Sequence, residues 1–321
     1  MAFTSYSDIY DPEVLKTLIG EKWLNEIKVM PTGIVKRAAL PGQGSLTTNI
    51  RQKIFQGTSR QAIAGGDEIS SQAKEQNAVN APILWGYNAV EIPDAIAEIA
   101  VSQIPSENAD MASSIQIAAM QYVDDSVIAA IEGASGALTD NNIADTGATI
   151  TVANLVALKQ KSGDKLSSLD SGAFVCHNVV YYDLLAAGAV AATANTFGIQ
   201  LQEGMVRDGV LPTNIMGLTP IVTDKVTSTT GTADYRSYMI GAGVLELQGG
   251  GAPQIEVSRL PKSFSTFTKF KIKYGIGVFG VTWGVSGKED VTDTELIDAS
   301  NWTLSTNTNS NDVAIYRIIT D

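Results

Sequence analysis

The sequence is poor in the residues that most often build catalytic and metal sites. Its 321 residues include one cysteine, Cys176, and one histidine, His177. A single cysteine excludes an intrachain disulfide and any zinc site built on pairs of cysteines. The sequence has no run of apolar residues long enough for a transmembrane helix, and its first residues lack the basic and apolar regions of a signal peptide. These absences predict a protein that is assembled in a reducing cytoplasm.

Positive charge is also scarce. The chain has 22 Lys and Arg against 34 Asp and Glu, which gives a formal net charge of −12. Sequence-specific binding of nucleic acid depends on neutralising phosphates with Lys and Arg, so this balance does not suit it. It suits a soluble protein that must not adhere to a polyanion. The hydrophobic content of 44% is ordinary for a globular protein, and the length predicts one to three domains.

One stretch, Glu107–Gly136, is predicted to be a long helix around which the rest of the chain is organised. Its apolar residues recur at spacings of three and four, which places them on one broad face. Glu107 and Asp110 put negative charge near the positive end of the helix, and Gly133 and Gly136 favour its termination. At about 1.5 Å per residue the helix would be about 40 Å long.

The segments before this helix have an extended pattern. Residues 41–97 contain two predicted strands, Leu46–Gln56 and Ile83–Ile92, joined by a polar segment. Two long strands with a polar connection predict a projecting hairpin. The hairpin is too polar to have a core of its own, so we expect packing on another chain to stabilise it. Residues 1–40 are predicted to form an arm, because their apolar face has little neighbouring sequence to pack against.

After the long helix, helical and extended patterns alternate, and the last part of the chain is β in character. Helices are predicted at Thr151–Lys161 and Val179–Ala187. Strands are predicted at Gly172–Val175, Gly217–Asp224, Tyr235–Leu247, Phe264–Tyr274, Gly275–Val285 and Val313–Ile319. Residues 204–210 are predicted as a loop.

Two pairs of residues could indicate chemistry, and for each we favour a structural interpretation. Cys176 and His177 are adjacent, and neighbours in a strand point to opposite faces, so the thiol and imidazole would not meet. Asp124 and Asp125 are consecutive in the long helix, where neighbours diverge by about 100° and share no face. The glycine-rich stretches lack the residues of a phosphate-binding loop. We therefore predict no catalytic residue, no metal site and no cofactor.

Several stretches, taken with the order of the elements, resemble one known family. The strand that leads into the spine helix of this family resembles residues 90–111, VEIPDAIAEIAVSQIPSENADM. The family's strand followed by a helix in the axial domain resembles FVCHNVVYYDLLAA. The paired strands that follow resemble GLTPIVTDKV and YRSYMIGAGVLEL. Its closing segment is resembled by NWTLSTNTNSNDVAIYRIITD. The family is that of the tailed-bacteriophage major capsid proteins with the Hong Kong 97-like fold.

The resemblance implies an α+β fold of the Hong Kong 97-like capsid type. Its implied parts are an N-terminal arm (1–40), an extended β-hairpin loop (41–97), a peripheral domain with the spine helix (98–136 and 256–321, helix 107–136) and an α/β axial domain (137–255). The implied protein is a major capsid protein and not an enzyme. It would self-assemble into hexamers and pentamers of an icosahedral phage head that encloses double-stranded DNA.

The resemblance also implies partners and a location. The implied partners are further copies of the chain, separate scaffolding, portal and decoration proteins, and packaged DNA contacted non-specifically. No membrane and no cofactor is implied. The protein would be part of the virion capsid, assembled in the host cytoplasm.

One contact between subunits can be predicted at the level of residues. Cations of the hairpin would pair with acids of the long helix in a neighbouring subunit and orient it. The residues concerned are Arg51, Lys53 and Arg60 on the hairpin and Asp124, Asp125 and Glu132 on the helix. The alternative is that each of these charges is only solvated.

Two other functions stay open at this point. An encapsulin-like nanocompartment shell resembles the same fold but encloses enzyme cargo. A cytosolic α/β enzyme or binding module would be a different class of protein. Electron microscopy of the purified protein separates shells from the last class, and the nucleic-acid content of the particles separates a capsid from a compartment.

Overall fold

Two β-sheets and one long helix organise the part of the chain that the structure describes. The computed structural model describes residues 32–40, 47–53, 76–93, 104–143, 148–163, 169, 172–191, 215–226, 234–249, 251, 253–260, 265–285, 288, 290–305 and 308–320. In chain order, the helices and strands are β1 (Val35–Ala39), β2 (Thr47–Lys53), β3 (Gln76–Pro93), α1 (Ile104–Ala137), β4 (Asn142–Ile143), α2 (Val152–Gln160), β5 (Ala173–Cys176), α3 (Asn178–Ala191), β6 (Thr219–Val222), β7 (Tyr235–Ile240), β8 (Leu245–Gly249), β9 (Gln254–Leu260), β10 (Ser265–Val278), β11 (Val281–Trp283), α4 (Asp293–Ile297), β12 (Trp302–Leu304) and β13 (Ile315–Thr320).

The long helix α1 confirms the prediction and is slightly longer than expected. It begins at Ile104 and ends at Ala137. Pro105 lies in its first turn, where a missing N–H costs no helical hydrogen bond. Along its first half only one face is buried, whereas residues 126–135 are buried on every side. The second half of the helix therefore runs through the interior of the chain.

An antiparallel hairpin is present, but residues 76–82 pair with β2, whereas the second strand was predicted at Ile83–Ile92. In β2 and β3, Thr47 lies opposite Pro82 and Lys53 lies opposite Gln76. Residues 83–93 of β3 then pair with β10, so the same strand joins the hairpin to the larger sheet. Val79 and Ala81 of the hairpin are fully buried, in a cluster apart from the main core.

The larger sheet has eight strands, and β10 is its centre. The strand order is β1-β8-β10-β11-β12, while β3 and β9 also pair with β10 and β2 pairs with β3. Strand β1, which the sequence did not predict, pairs in parallel with β8, so that Val35 lies opposite Leu245. The last residues of the predicted arm are therefore part of this sheet.

The smaller sheet has five strands in the order β4-β13-β7-β5-β6. Helices α2 and α3 confirm the two helices predicted in this region. The start of α2 is set by Thr151, whose hydroxyl oxygen accepts a hydrogen bond from the Asn154 N–H at 3.3 Å. Strand β5 is buried along its whole length, as its apolar sequence predicts.

The prediction of one strand over Tyr235–Leu247 was wrong. The chain turns at Gly243, which has a φ of +67° that favours glycine, and so it forms β7 and β8. The two strands lie in different sheets. The sheets also divide the chain differently from the expected boundary between the axial part (137–255) and the peripheral part (256–321). Strand β8, expected with the axial part, belongs to the eight-stranded sheet, and β13, expected with the peripheral part, belongs to the five-stranded sheet.

Three predictions fall outside the described residues. They are the arm up to residue 31, the hairpin connection at 54–75 with Arg60, and the loop at 204–210.

One hydrophobic core connects α1 with both sheets. Its largest fully buried side chains include Phe174, Tyr238 and Tyr316. On the paired strands β11 and β12, Trp302 packs edge-on against Trp283 with 5.0 Å between ring centroids. None of the described helices is both long and apolar enough to span a membrane.

Candidate intersubunit surfaces

Cys176 and His177 have structural surroundings. Burial at the end of β5 raises the pKa of the Cys176 thiol to about 12, which opposes formation of the nucleophilic thiolate. His177 lies at the start of α3, where its Nδ1 accepts a hydrogen bond from the Val179 N–H at 3.2 Å. Its ring stacks on Tyr235 at 4.6 Å, and its Nε2 lies 3.6 Å from Asp224 Oδ1. This geometry gives both residues roles in packing.

Two of the cations predicted for the hairpin, Arg51 and Lys53, lie in the described part of β2. Arg51 and Lys53 are in β2 and pair through the backbone with Ala78 and Gln76 of β3. They belong to the part of the hairpin that pairs with no strand besides its partner among the described residues.

The three acids predicted on the helix have different surroundings. Asp124 and Asp125 are half-buried in the middle of α1. The Asp125 carboxylate pairs with Lys225, which lies in the turn after β6. The Nζ of Lys225 is 3.1 Å from the Oδ2 of Asp125. Glu132 is only 3% exposed and forms an ion pair with Arg236 of β7. Glu132 is therefore an interior residue in this chain, and its partner comes from the same chain.

A hydrogen-bond network fixes the helix beside Asp125. The Ser126 hydroxyl donates to Asp293 Oδ1 at 2.8 Å and lies 3.0 Å from the Tyr274 hydroxyl. Burial raises the pKa of Asp293, and the hydrogen bond from Ser126 opposes this shift. The network joins α1 to both α4 and β10, so the acidic middle of the helix sits on a rigid support.

An open groove runs beside the acidic middle of α1. Its volume is about 460 Å³, and it lies between α1 and the end of β6. Apolar and acidic side chains line it together: Ile117, Met120, Asp124, Asp125 and Ile128 from the helix face Ile221, Thr223 and Lys225. Ile117 is exposed at the side of this groove. The groove combines the two properties of a docking surface, an apolar floor and a charged rim.

The cations that pair with the acids of α1 within the chain were not predicted from the sequence. Lys225 and Arg236 are distant from α1 in the sequence, and neither lies in a motif. The sequence does indicate that Glu132 is buried, because it lies within IAAIEGASG, where nearly every neighbour is small or apolar. A helix that is apolar on all sides is buried, so an acid within it needs an internal partner.

Comparison with known proteins identifies the family. A family model described as major capsid protein 13-like (Gp13-like) matches residues 72–314, which is more than half of the chain. No curated protein sequence matches the chain significantly.

Solved structures show the fold. A structure from Mycobacterium phage Che8 has a TM-score of 0.51 at 15% identity, over 100% of this chain and 92% of the other. The capsid asymmetric unit of cyanophage Pam1 has a TM-score of 0.53 at 13% identity, over 87% and 86%. The capsid of Myoviridae phage XM1 has a TM-score of 0.52 at 11% identity, over 92% of each chain.

These matches agree with the architecture of a hairpin, a long helix and two sheets. The fold is the Hong Kong 97-like fold of phage capsids. The chain therefore belongs to the major capsid protein 13-like family, and it is a virion protein of the phage head shell.

Proposed function

We propose that copies of this chain assemble into hexamers and pentamers of an icosahedral head that encloses double-stranded DNA, without enzymatic activity of their own. The observation that carries this proposal is the hairpin. Residues 76–82 of β3 pair only with β2 among the described residues, and at about 3.3 Å per residue they span about 23 Å. A two-stranded hairpin is marginally stable alone, so a neighbouring copy is the natural support for it.

The two sheets suggest how the chain divides within such a shell. The proposed peripheral domain contains α1, α4 and the eight-stranded sheet, and the hairpin extends from it. The proposed axial domain contains α2, α3 and the five-stranded sheet, and lies at the centre of each hexamer or pentamer. Scaffolding, portal and decoration proteins would be separate partners. DNA would be contacted non-specifically, which suits a wall with a net charge of −12.

The hairpin of one copy would lie on the groove beside α1 of the next copy. Arg51, Lys53 and Arg60 would supply the positive charge, and Asp124 and Asp125 would supply the negative charge. Glu132 is left out of this set because it is buried against Arg236. Such pairs would fix the orientation of the contact, while the apolar floor of the groove would supply most of its stability.

Reversing the charges of the hairpin tests this contact. The double variant Arg51→Glu/Lys53→Glu is expected to form about tenfold fewer particles, because each acid would then face another acid. The unassembled chain should keep the far-ultraviolet circular dichroism of the wild type. Adding Asp124→Lys to the double variant should recover part of the assembly.

The control for this experiment is Lys161→Glu, an exposed lysine at the end of α2 that lies away from the groove. It should assemble like the wild type. Particles formed at the wild-type level by the double variant would show that the hairpin charges do not orient the contact.

A further inference from the structure

One exposed face of the eight-stranded sheet carries aromatic and basic side chains together. Strand β3 contributes Trp85 and Tyr87, and β10 contributes Lys271 and Lys273. In the antiparallel register Lys271 lies opposite Tyr87, and Lys273 lies opposite Trp85. Alternate residues of a strand share a face, so all four belong to one side of the sheet. We call these four residues the lysine platform.

Both lysines of the platform contact the same indole ring. The Nζ atoms of Lys271 and Lys273 lie 3.7 Å and 5.0 Å from the ring centroid of Trp85. These distances are within the range of cation–π attraction. The ring therefore holds two positive charges beside each other and restricts where their ammonium groups can move.

Neither ammonium group has an acidic partner within ion-pair distance among the described residues. Lys269, two residues earlier on the same face, differs because it pairs with Glu256 of β9. Adjacent like charges destabilise a sheet unless something offsets them. The platform thus keeps an excess of positive charge on a chain whose net charge is −12.

The two aromatic residues of the platform are of the types that are enriched in interface cores. Tyr87 is 55% exposed, although its hydroxyl is held in place by a hydrogen bond to Asp290 Oδ2 at 2.8 Å. An open groove of about 720 Å³ lies beside it, between β3, β9 and β10. Tyrosine and tryptophan are enriched at the centres of protein interfaces, where their rings supply contact area at low entropic cost. A sheet face meant only for water would not need them.

We propose that the lysine platform binds carboxylates on a second copy of this chain. The inference rests on the proposed function, because assembly brings the copies together. Two copies that each carry a charge of −12 repel one another. Among the described residues no acid forms an ion pair with Lys271 or Lys273, so this cationic surface would offset that repulsion locally and select the orientation of the neighbour.

The position of the platform supports this occupant. Strand β3 runs without a break from the hairpin to the platform, so a copy that lies along the length of this strand contacts both. A contact between two different patches is heterologous, and heterologous contacts generate rings when the rotation between copies closes. A nucleic acid would be expected on a broader cationic stripe, whereas Glu256 and Asp290 interrupt this surface.

The test compares two double variants with the same change of charge. Lys271→Glu/Lys273→Glu should form about tenfold fewer particles than the wild type. The control Lys36→Glu/Lys161→Glu changes two exposed lysines away from the platform and should assemble normally. Lys271→Arg/Lys273→Arg keeps the charge and the contact with the ring, so it should assemble like the wild type. Particle yield is measured by sedimentation, and DNA content by absorbance.

Wild-type particles provide a second measurement that needs no variant. Particles assembled from a mixture of 15N-labelled and unlabelled chains are treated with a carbodiimide, which joins lysines to carboxylates in direct contact. Peptides that link Lys271 or Lys273 of one isotope to an acid of the other are expected. Links between copies at other lysines, with none at these two, would overturn the proposal.

The remaining outcomes are also decisive. If the glutamate variant assembles as well as its control, the platform does not bind a second copy. If it assembles normally but the particles contain less DNA, the platform binds the phosphate backbone instead, and the proposal is likewise overturned. Failure of the wild type to form any particle would contradict the proposed function itself, which is a separate result.

Discussion

Replacing Gly133 with alanine should destabilise the fold by about 3 kcal/mol, although alanine is the better helix former. Gly133 lies in α1 where the segment from Leu296 to Trp302 crosses the helix. A Cβ atom at this position would overlap the Leu296 carbonyl oxygen and lie 2.5 Å from Trp302 Nε1. The overlap falls on a hydrogen bond, in which Trp302 Nε1–H donates to the Leu296 carbonyl at 2.8 Å.

Two costs oppose the gain in helix propensity. Overpacking a tight contact costs about 1–3 kcal/mol, and loss of a buried hydrogen bond costs about as much again. The gain from replacing glycine in a helix is only about 1 kcal/mol. Because the clash involves backbone atoms and a buried indole, the neighbours have little room to move.

Urea unfolding of the unassembled chain measures the effect. The control is Ser114→Ala on the exposed face of the same helix, which should change the free energy of unfolding by less than about 0.5 kcal/mol. Equal midpoints for Gly133→Ala and the control would show that the crossing segment does not pack on the helix as described.

Removing the carboxylate of Glu132 should cost about 3 kcal/mol of stability. Glu132 is 3% exposed and its partner Arg236 is 21% exposed, so loss of the acid leaves a largely desolvated guanidinium without its counterion. The region has little contact with water, since burial also lowers the pKa of the neighbouring Arg317. The ion pair joins α1 to β7, and its loss weakens the connection between the long helix and the five-stranded sheet.

A double-mutant cycle distinguishes the buried charge from the loss of packing. Glu132→Leu/Arg236→Leu removes both charges and should be more stable than Glu132→Leu alone, because no charge is left buried. The matched control is Asp125→Ala, which breaks the more exposed pair with Lys225 and should cost less than about 1 kcal/mol. Additive effects of Glu132→Leu and Arg236→Leu would contradict the ion pair.

The elements that could be predicted are those whose pattern is local. The spacing of apolar residues in α1, the polar capping residue Thr151 before α2, and the alternation in β10 all depend on neighbours in the sequence. The hairpin was predictable only in part, because its second strand was placed at Ile83–Ile92, which pairs with β10, whereas residues 76–82 pair with β2.

The elements that escaped prediction depend on distant partners. Strand β1 has five residues without a strong pattern, and it exists because β8 offers an unpaired edge more than two hundred residues later. The division of Tyr235–Leu247 depends on a single glycine, Gly243, which lets β8 join the eight-stranded sheet, whereas β13 joins the other sheet by pairing with the distant β7. No local pattern carries such information.

The same distinction applies to the surfaces. The acids of α1 could be found from the sequence, but their partners Lys225 and Arg236 could not, because ion pairs across the fold leave no spacing. The lysine platform shows as a plain alternation of lysines in β10. The contact of these lysines with Trp85 could not be predicted, because only the pairing of β3 with β10 brings the Trp85 ring beneath Lys271 and Lys273.

Electron cryomicroscopy of the purified, assembled protein tests the central claim most directly. The account predicts closed icosahedral particles in which β2 and β3 of one copy lie on a neighbouring copy, with α1 of each subunit beside such a hairpin. Chains that stay monomeric under all assembly conditions, or particles in which each hairpin folds back on its own copy, would contradict it.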